Sequence, residues 1–398
     1  MPVFLLFSLP KLELMLDTDS KDAFLKLIRL GIGTDETLSL KNHVDWDAVE
    51  AIAERQGLLG VVFDGVKKLK DSRECAADSL PSQVTWLCWM GKVMQGYEQR
   101  SVLYKKAVAS LAAFYNTHGF KMMVLKGLAC GLYWPQPEHR PYGDIDIYLF
   151  GKQKEADKAL ARFKSDPHNQ SNGGRLLPAS QDEDFKIDNS HHHHSVFKWN
   201  GFTVENHYDF LNVHHHKSNP KIERVLKELA QDDSHFAELH GERVYLPSAN
   251  LHALFLQKHA MAHFAAEVIT LRHLLDWGLY VKAHTDEIDW NWLDGALEKY
   301  GMKPAFNIFN AICVEDLGFE ARLFPEIQPN PSMKDAVLNE IISPAFSKSL
   351  PEGLVGRVIY KTRRWRGNAW KHKLCYKDSM WSAFWCGVWN HLLKPSSI

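Results

Sequence analysis

The chain of 398 residues carries 47 basic against 48 acidic side chains, a formal net charge of −1, with 45% hydrophobic and 12% aromatic residues. This composition excludes global disorder, and the neutral balance excludes whole-chain attraction to nucleic acid or anionic membrane, leaving only local patches. Six singly placed cysteines (Cys75, Cys88, Cys130, Cys313, Cys375, Cys386) and the lack of a long apolar run argue against a disulfide framework, a cysteine-built zinc site or a membrane span, and the expected setting is cytoplasmic.

Residues 1–117 read as an N-terminal helical region. The stretch 46–70 has apolar residues at helical spacing behind Asp45 as N-cap, and two more helices are expected near 82–97 and 98–117. Residues 118–217 change texture to a mixed α/β block. MMVLKG is a short strand, LACGLYW a short helix, PQPEHRPYG a loop, DIDIYLF a strand and KQKEADKALARFK a polar helix; a weak strand near 174–177 and a hairpin around Asn200-Gly201 follow. Residues 218–349 return to helices, with a proline-rich joint near 325–332. The segment 350–398 is a basic tail with nine lysines and arginines against Glu352 and Asp378. Its tryptophans Trp381, Trp385 and Trp389 suit either packing of a helix onto the body or contact with a polyanion or membrane surface. The order of elements is that of an α+β protein, a small mixed-sheet core flanked by helical regions.

The sharpest chemical feature is Gly143-Asp144-Ile145-Asp146-Ile147. Alternate side chains share one face of a strand, so Asp144 and Asp146 project together while Ile145 and Ile147 enter a core. Two adjacent carboxylates repel and raise one another's pKa, a cost that a divalent cation relieves; oxygen donors suit Mg²⁺. The alternative is a polar strand face open to water. Lys126-Gly127 ends an apolar strand where a helix begins, a place for phosphate on backbone amides, and Arg140 adds a cation for a phosphate oxygen. Pairing outward from the Asn200-Gly201 turn sets Trp199 opposite Phe202, Val196 opposite Glu205 and His194 opposite His207. Glu205, His207 and His194 then share a face, and Glu205 is a candidate third carboxylate or general base.

The run VLKGLACGLYWPQPEHRPYGDIDIYLF, with the later FTVENHYDF, resembles the uncharacterised nucleotidyltransferase family of the DNA polymerase beta-like superfamily. Lys126-Gly127 stands where that superfamily usually opens with Gly-Ser, and Asn206 where a hydrophobic residue is commoner. The resemblance implies a nucleotidyltransferase core in which Asp144 and Asp146 bind catalytic Mg²⁺ (or Mn²⁺) and Glu205 is the third acid. Lys126, Gly127, Arg140 and Gly143 are then nucleotide-binding. Lys258, His259, His263, Arg272 and Asp276 match the family's later helical segment. The implied reaction moves a nucleoside monophosphate from a nucleoside triphosphate to a hydroxyl acceptor (a small molecule, sugar, protein or RNA end) with release of pyrophosphate. The alternatives are a non-catalytic nucleotide-binding or regulatory module on the same fold, or a histidine-metal hydrolase.

The 21 histidines call for a separate reading. Clustered imidazoles favour Zn, Ni or Cu. His191–His193 are expected in water, whereas the hairpin register brings His194 beside His207. His259 and His263, four apart in HAMAH, have no glutamate beside the first, against a zinc-protease motif. They are expected to line the cleft or lie buried, and Arg272 and Asp276 to contact substrate or to form an intrahelical ion pair.

Overall fold

Helical periodicity and its interruptions set the N-terminal half. The computed structural model describes residues 18–35, 40, 44–72, 80–165, 185–327, 330–346 and 351–393. The expected strand at 174–177, Cys75 and part of the proline-rich joint lie outside the described residues. Helix α1 (Thr18–Ile32) packs on α3 (Leu59–Asp71), with α2 (Trp46–Gln56) beside them. The apolar periodicity of 46–70 is one stretch in sequence but two helices in space. Asp45 caps α2 by accepting from the Ala48 amide, and Gly57 ends it at φ 67°, its amide donating to the carbonyls of Ala53 and Glu54. The helices expected near 82–97 and 98–117 are instead one rod. Helix α4 (Gln83–Val93) passes through a π-turn at Met94–Glu98 into α5 (Gln99–Thr117), so the extra residue is absorbed without breaking the axis.

The sheet has six strands among the described residues, in the order β3-β4-β2-β1-β6-β5. They are β1 (Met123–Val124), β2 (Ile145–Tyr148), β3 (His194–Trp199), β4 (Phe202–His207), β5 (Phe236–Leu239) and β6 (Glu242–Tyr245). The β3–β4 hairpin has the register expected from Asn200-Gly201, with Trp199 opposite Phe202, Val196 opposite Glu205 and His194 opposite His207. Both turn residues have positive φ, 49° and 82°, as a twist-matched two-residue turn requires. The β5–β6 hairpin extends the sheet into a region that read as purely helical. It is short and its outer strand is partly exposed, so its alternation is faint in sequence.

The sheet's two faces belong to different cores. Ile145, Ile147, Val204, Phe197 and Trp199 pack against α5 and against α6 (Leu128–Gly131) and α7 (Gln153–Ser165). Met123, Leu125, Tyr148, Phe210 and Tyr245 join the larger core of the N-terminal and C-terminal helices. Asn206, the departure from a hydrophobic pattern, is buried toward α7, where its amide donates to Asp157 at 2.8 Å. A polar residue is tolerated there because Asp157 and Ser195 form a buried polar island with it. No helix of the described residues is long and apolar enough to cross a membrane.

Gly127 is required by space as well as by backbone. Its φ is 53°, and a Cβ there would stand 2.0 Å from the hydroxyl oxygen of Tyr104, a ring fully buried on α5. The same ring stacks on Tyr142 at 4.6 Å, and its hydroxyl lies 3.5 Å from the Asp144 carbonyl oxygen. Tyr104 therefore props both loops that flank the β1–β2 edge. Gly127→Ala should cost about 1–3 kcal/mol of stability from overpacking, with part of the loss recovered in the Tyr104→Phe background; urea unfolding midpoints of the three variants check this.

Candidate functional site

Strand pairing builds the site. β2 and β4 run parallel with Asp146 opposite Glu205 and Tyr148 opposite His207, so the two acids point from one face, toward the helical C-terminal half. Asp146 is only 5% exposed. The Lys126 ammonium, from the loop after β1, forms an ion pair with its Oδ1 at 2.6 Å, and His207 Nε2 lies 3.5 Å from the same oxygen. His207 Nε2 is also 3.6 Å from Glu205 Oε2. One ligand atom from each of Asp146, Glu205 and His207 lies within 4.8 Å of the others, a spacing that a single cation can bridge.

The electrostatics differ from those expected of an isolated carboxylate pair. Burial works to raise the Asp146 pKa, but Lys126 and His207 outweigh it and hold the carboxyl well below its ordinary range. The His207 imidazole is pulled the other way: desolvation favours its neutral form, and the two carboxylates overcome this and raise its pKa. Contact with His207 also lowers the Glu205 pKa. Lys126 and His207 thus supply the positive charge that the buried acid demands. Asp144, two residues before Asp146 at the mouth of β2, is exposed beside exposed Gly143 and is outside the tight Asp146–Glu205–His207 group.

Lys126 has a second partner, His259 Nε2 at 3.0 Å. Desolvation by burial, then the Lys126 charge, pushes the His259 pKa far down, so the neutral ring accepts from the ammonium. His259 lies on α9 of the chain order, the helix Ala249–Ala266, after α8 (Asn219–Leu229). His252 on the same helix is buried, held neutral by burial with a pKa lowered to about 3, and donates through Nε2 to the Leu125 carbonyl at 3.0 Å. Two histidines of α9 therefore fix the end of β1. Sequence reading named His259 and passed over His252; the seven-residue spacing places both on one helix face.

Arg140, read in sequence as a partner for phosphate, is engaged within the fold. Its buried guanidinium donates from Nε and Nη2 to Asp276 Oδ1 and Oδ2, each at 2.9 Å, and Trp134 Nε1 donates to Oδ1 at 2.8 Å. Desolvation opposes both ionised groups, yet their mutual attraction raises the Arg140 pKa and lowers that of Asp276. Asp276 sits on α10 (Leu271–His284). The intrahelical ion pair expected between Arg272 and Asp276 is replaced by this long-range fork. Arg272 instead reaches the Pro141 carbonyl at 3.4 Å from Nη1, and desolvation, then the Arg140 charge, lowers its pKa.

His193 is not left in water. It is half-buried, its ring 4.3 Å from that of His194 and 5.5 Å from that of His207. His194 and His207 are buried, with rings 5.1 Å apart. His193 stands just before β3, and strand alternation would have turned it to the face opposite His194, so the sequence carried no signal for this contact.

A cleft of about 880 Å³ opens alongside. His193, His259, His263, Lys258 and Tyr376 are among its lining residues. Lys361, Arg364, Trp365 and Arg366 come from α14 (Leu354–Gly367), which follows α11 (Trp290–Tyr300), α12 (Lys303–Ala311) and α13 (Pro331–Ile342). Lys258 is 1% exposed, has no hydrogen-bond partner for its amine, and stands over the Tyr376 ring at 4.1 Å. Burial brings its pKa down to about 7. The tail's aromatic residues divide their roles. Trp370 packs against Phe264 and Trp365 against Trp381, while Trp381 and Trp385 stay mostly exposed; the Trp389 side chain lies outside the described ones.

Asp276→Ala should cost about 3–5 kcal/mol by leaving the Arg140 charge buried without a partner, and the double variant Arg140→Met/Asp276→Leu should recover much of that loss in equilibrium unfolding. The profile of a family described as uncharacterised nucleotidyltransferase matches residues 42–317. No curated protein and no solved structure matches the chain.

Proposed function

Because the chain belongs to the uncharacterised nucleotidyltransferase family, we propose that it is a divalent-metal-dependent enzyme that transfers a nucleoside monophosphate from a nucleoside triphosphate to a hydroxyl acceptor. The observation that carries this reading is the Asp146–Glu205–His207 group, with ligand atoms within 4.8 Å of one another and Asp144 at its mouth. The residues fit a cation. Asp146 Oδ1 is buried and met only by cationic groups, Lys126 at 2.6 Å and His207 at 3.5 Å, and carboxylate oxygens are donors of the kind that Mg²⁺ or Mn²⁺ takes. Asp144, Asp146 and Glu205 would hold it; when bound, the ion supplies neutralisation of charge at the α-phosphate and a lowered pKa for the attacking hydroxyl.

The chain's own residues supply the rest. Lys126, already at the rim of the acid group, binds a phosphate oxygen. Glu205, half-buried and ionised, takes the proton of the acceptor hydroxyl. The acceptor oxygen then forms its bond to the α-phosphorus as the bond to the β-phosphate oxygen breaks in line, and pyrophosphate leaves with that electron pair. Arg140 acts by position: locked to Asp276, it anchors the loop that leads through Gly143 into β2. The lysine- and arginine-lined cleft beside His259 and His263 supports an acceptor that carries anionic charge, with the basic tail as one wall. The unpartnered Lys258 amine within that lining favours the same chemistry.

Asp144→Ala and Asp146→Asn should each reduce Mg²⁺-dependent transfer from labelled nucleoside triphosphate by about a hundredfold or more, with circular dichroism unchanged. Glu205→Gln should lower kcat more than it raises the KM for the triphosphate. Absence of any stabilisation of the wild-type chain by the four ribonucleoside triphosphates with Mg²⁺ or Mn²⁺ in thermal-shift assays would sink the proposal. Binding without turnover would reduce it to a nucleotide-binding module.

A further inference from the structure

The hairpin start assembles a second group of facing donors that the transfer reaction does not use. His193 precedes β3, His194 opens it and His207 ends β4, and one ring nitrogen from each lies within 4.8 Å of the other two. His193 Nδ1 and His194 Nδ1 are buried without a hydrogen-bond partner, and the buried His207 Nε2 meets only carboxylate oxygens, at 3.5 and 3.6 Å. A buried polar atom with no partner has lost its hydration for nothing in return, so two such imidazole nitrogens beside a third ring within 4.8 Å call for a common occupant. The His207 ring is oriented by its other nitrogen, for Nδ1 meets the Asp209 carbonyl oxygen at 3.3 Å. Metal-bound histidines take that same arrangement, one nitrogen donating to a carbonyl and the other facing the ion.

The donor chemistry selects the ion. Three imidazole nitrogens favour borderline cations such as Zn²⁺ or Co²⁺ over Mg²⁺, and three protein ligands with an open fourth position form a common four-coordinate zinc geometry. Among the described residues no other three histidines converge in this way, although the chain has further tracts at His191–His192 and His214–His216. We propose that His193, His194 and His207 form a nitrogen-donor site for a zinc-class divalent cation, next to the carboxylate group and sharing His207 with it. The site ties the start of β3 to the end of β4. Asp146 and Glu205 lie beside it, within ion-pair distance of His207 Nε2.

The test uses the full chain purified without an affinity tag and stripped with a chelator. Titration with Co²⁺, followed by visible absorption, and with Zn²⁺, followed by calorimetry, should show one tight equivalent and the intense absorption bands of a four-coordinate nitrogen-rich site. The His193→Ala/His194→Ala variant should bind at least about a hundredfold more weakly, while His191→Ala/His192→Ala should bind as the wild type does. If the double variant fails to fold, as read by circular dichroism, the single His194→Gln variant carries the comparison. Failure of Zn²⁺ to bind at micromolar concentration overturns the site, as does unchanged affinity in the His193/His194 variants or loss of the tight equivalent in the His191/His192 variant. The measurement contains no nucleotide, so it stands or falls separately from nucleotidyl transfer.

Discussion

A carboxylate buried as deeply as Asp146 must have its charge met by the protein, and most of the arrangement around the site follows from that demand. Lys126 comes to it from the loop after β1, and His207 comes from the end of β4. These groups are distant in sequence and meet because β2 lies between β1 and β4 in the sheet. Lys126 is in turn held by His259 on the helix that covers this face. A chain of contacts thus runs from helix to lysine to acid to histidine. Burial keeps His259 neutral, and against the pull of desolvation the two carboxylates raise the His207 pKa. A cation entering the site takes over a role that Lys126 and His207 already fill in part.

A second compensated charge braces the first. The Arg140–Asp276 fork, with Trp134 as a further donor, joins the loop ahead of β2 to the C-terminal helices through fully planar, two-point geometry. Tyr104 does the same from the opposite side of the sheet, filling the space that a side chain at residue 127 would need. The loop bearing Gly143 and Asp144 is therefore held from both faces, while its tip stays exposed to reactants. Rigid support behind an open mouth suits group transfer, where positioning provides much of the rate.

The histidines divide by environment. His252 and His259 are buried structural partners of β1 and Lys126, His263 lines the cleft, and His193, His194 and His207 face one another. The cleft joins this wall to the basic residues of the tail, so the near-zero net charge of the whole chain hides a local concentration of positive charge next to local acids. Trp381, mostly exposed, is part of its lining.

Local signals made a good part of this readable from the chain alone. Period-two alternation and the Asn200-Gly201 turn determined the hairpin and its register, because a two-residue turn leaves one way to pair the strands. The same alternation put Ile145 and Ile147 in a core and Asp146 on the other face of β2, while Asp144 stands exposed just before the strand, and Asp45 marked where α2 begins. What sequence left open were contacts between residues far apart. The pairing of Asp276 with Arg140, not with its helical neighbour Arg272, depends on packing a loop against a helix more than a hundred residues away. The break at Gly57, the π-turn joining two expected helices and the short β5–β6 hairpin likewise answer to tertiary fit more than to periodicity. Above all, the sequence by itself determined which residues can carry charge at the site, whereas the tertiary structure alone decided which of those charges are buried, because burial is a property of the whole fold and sets the partner that each charge must find.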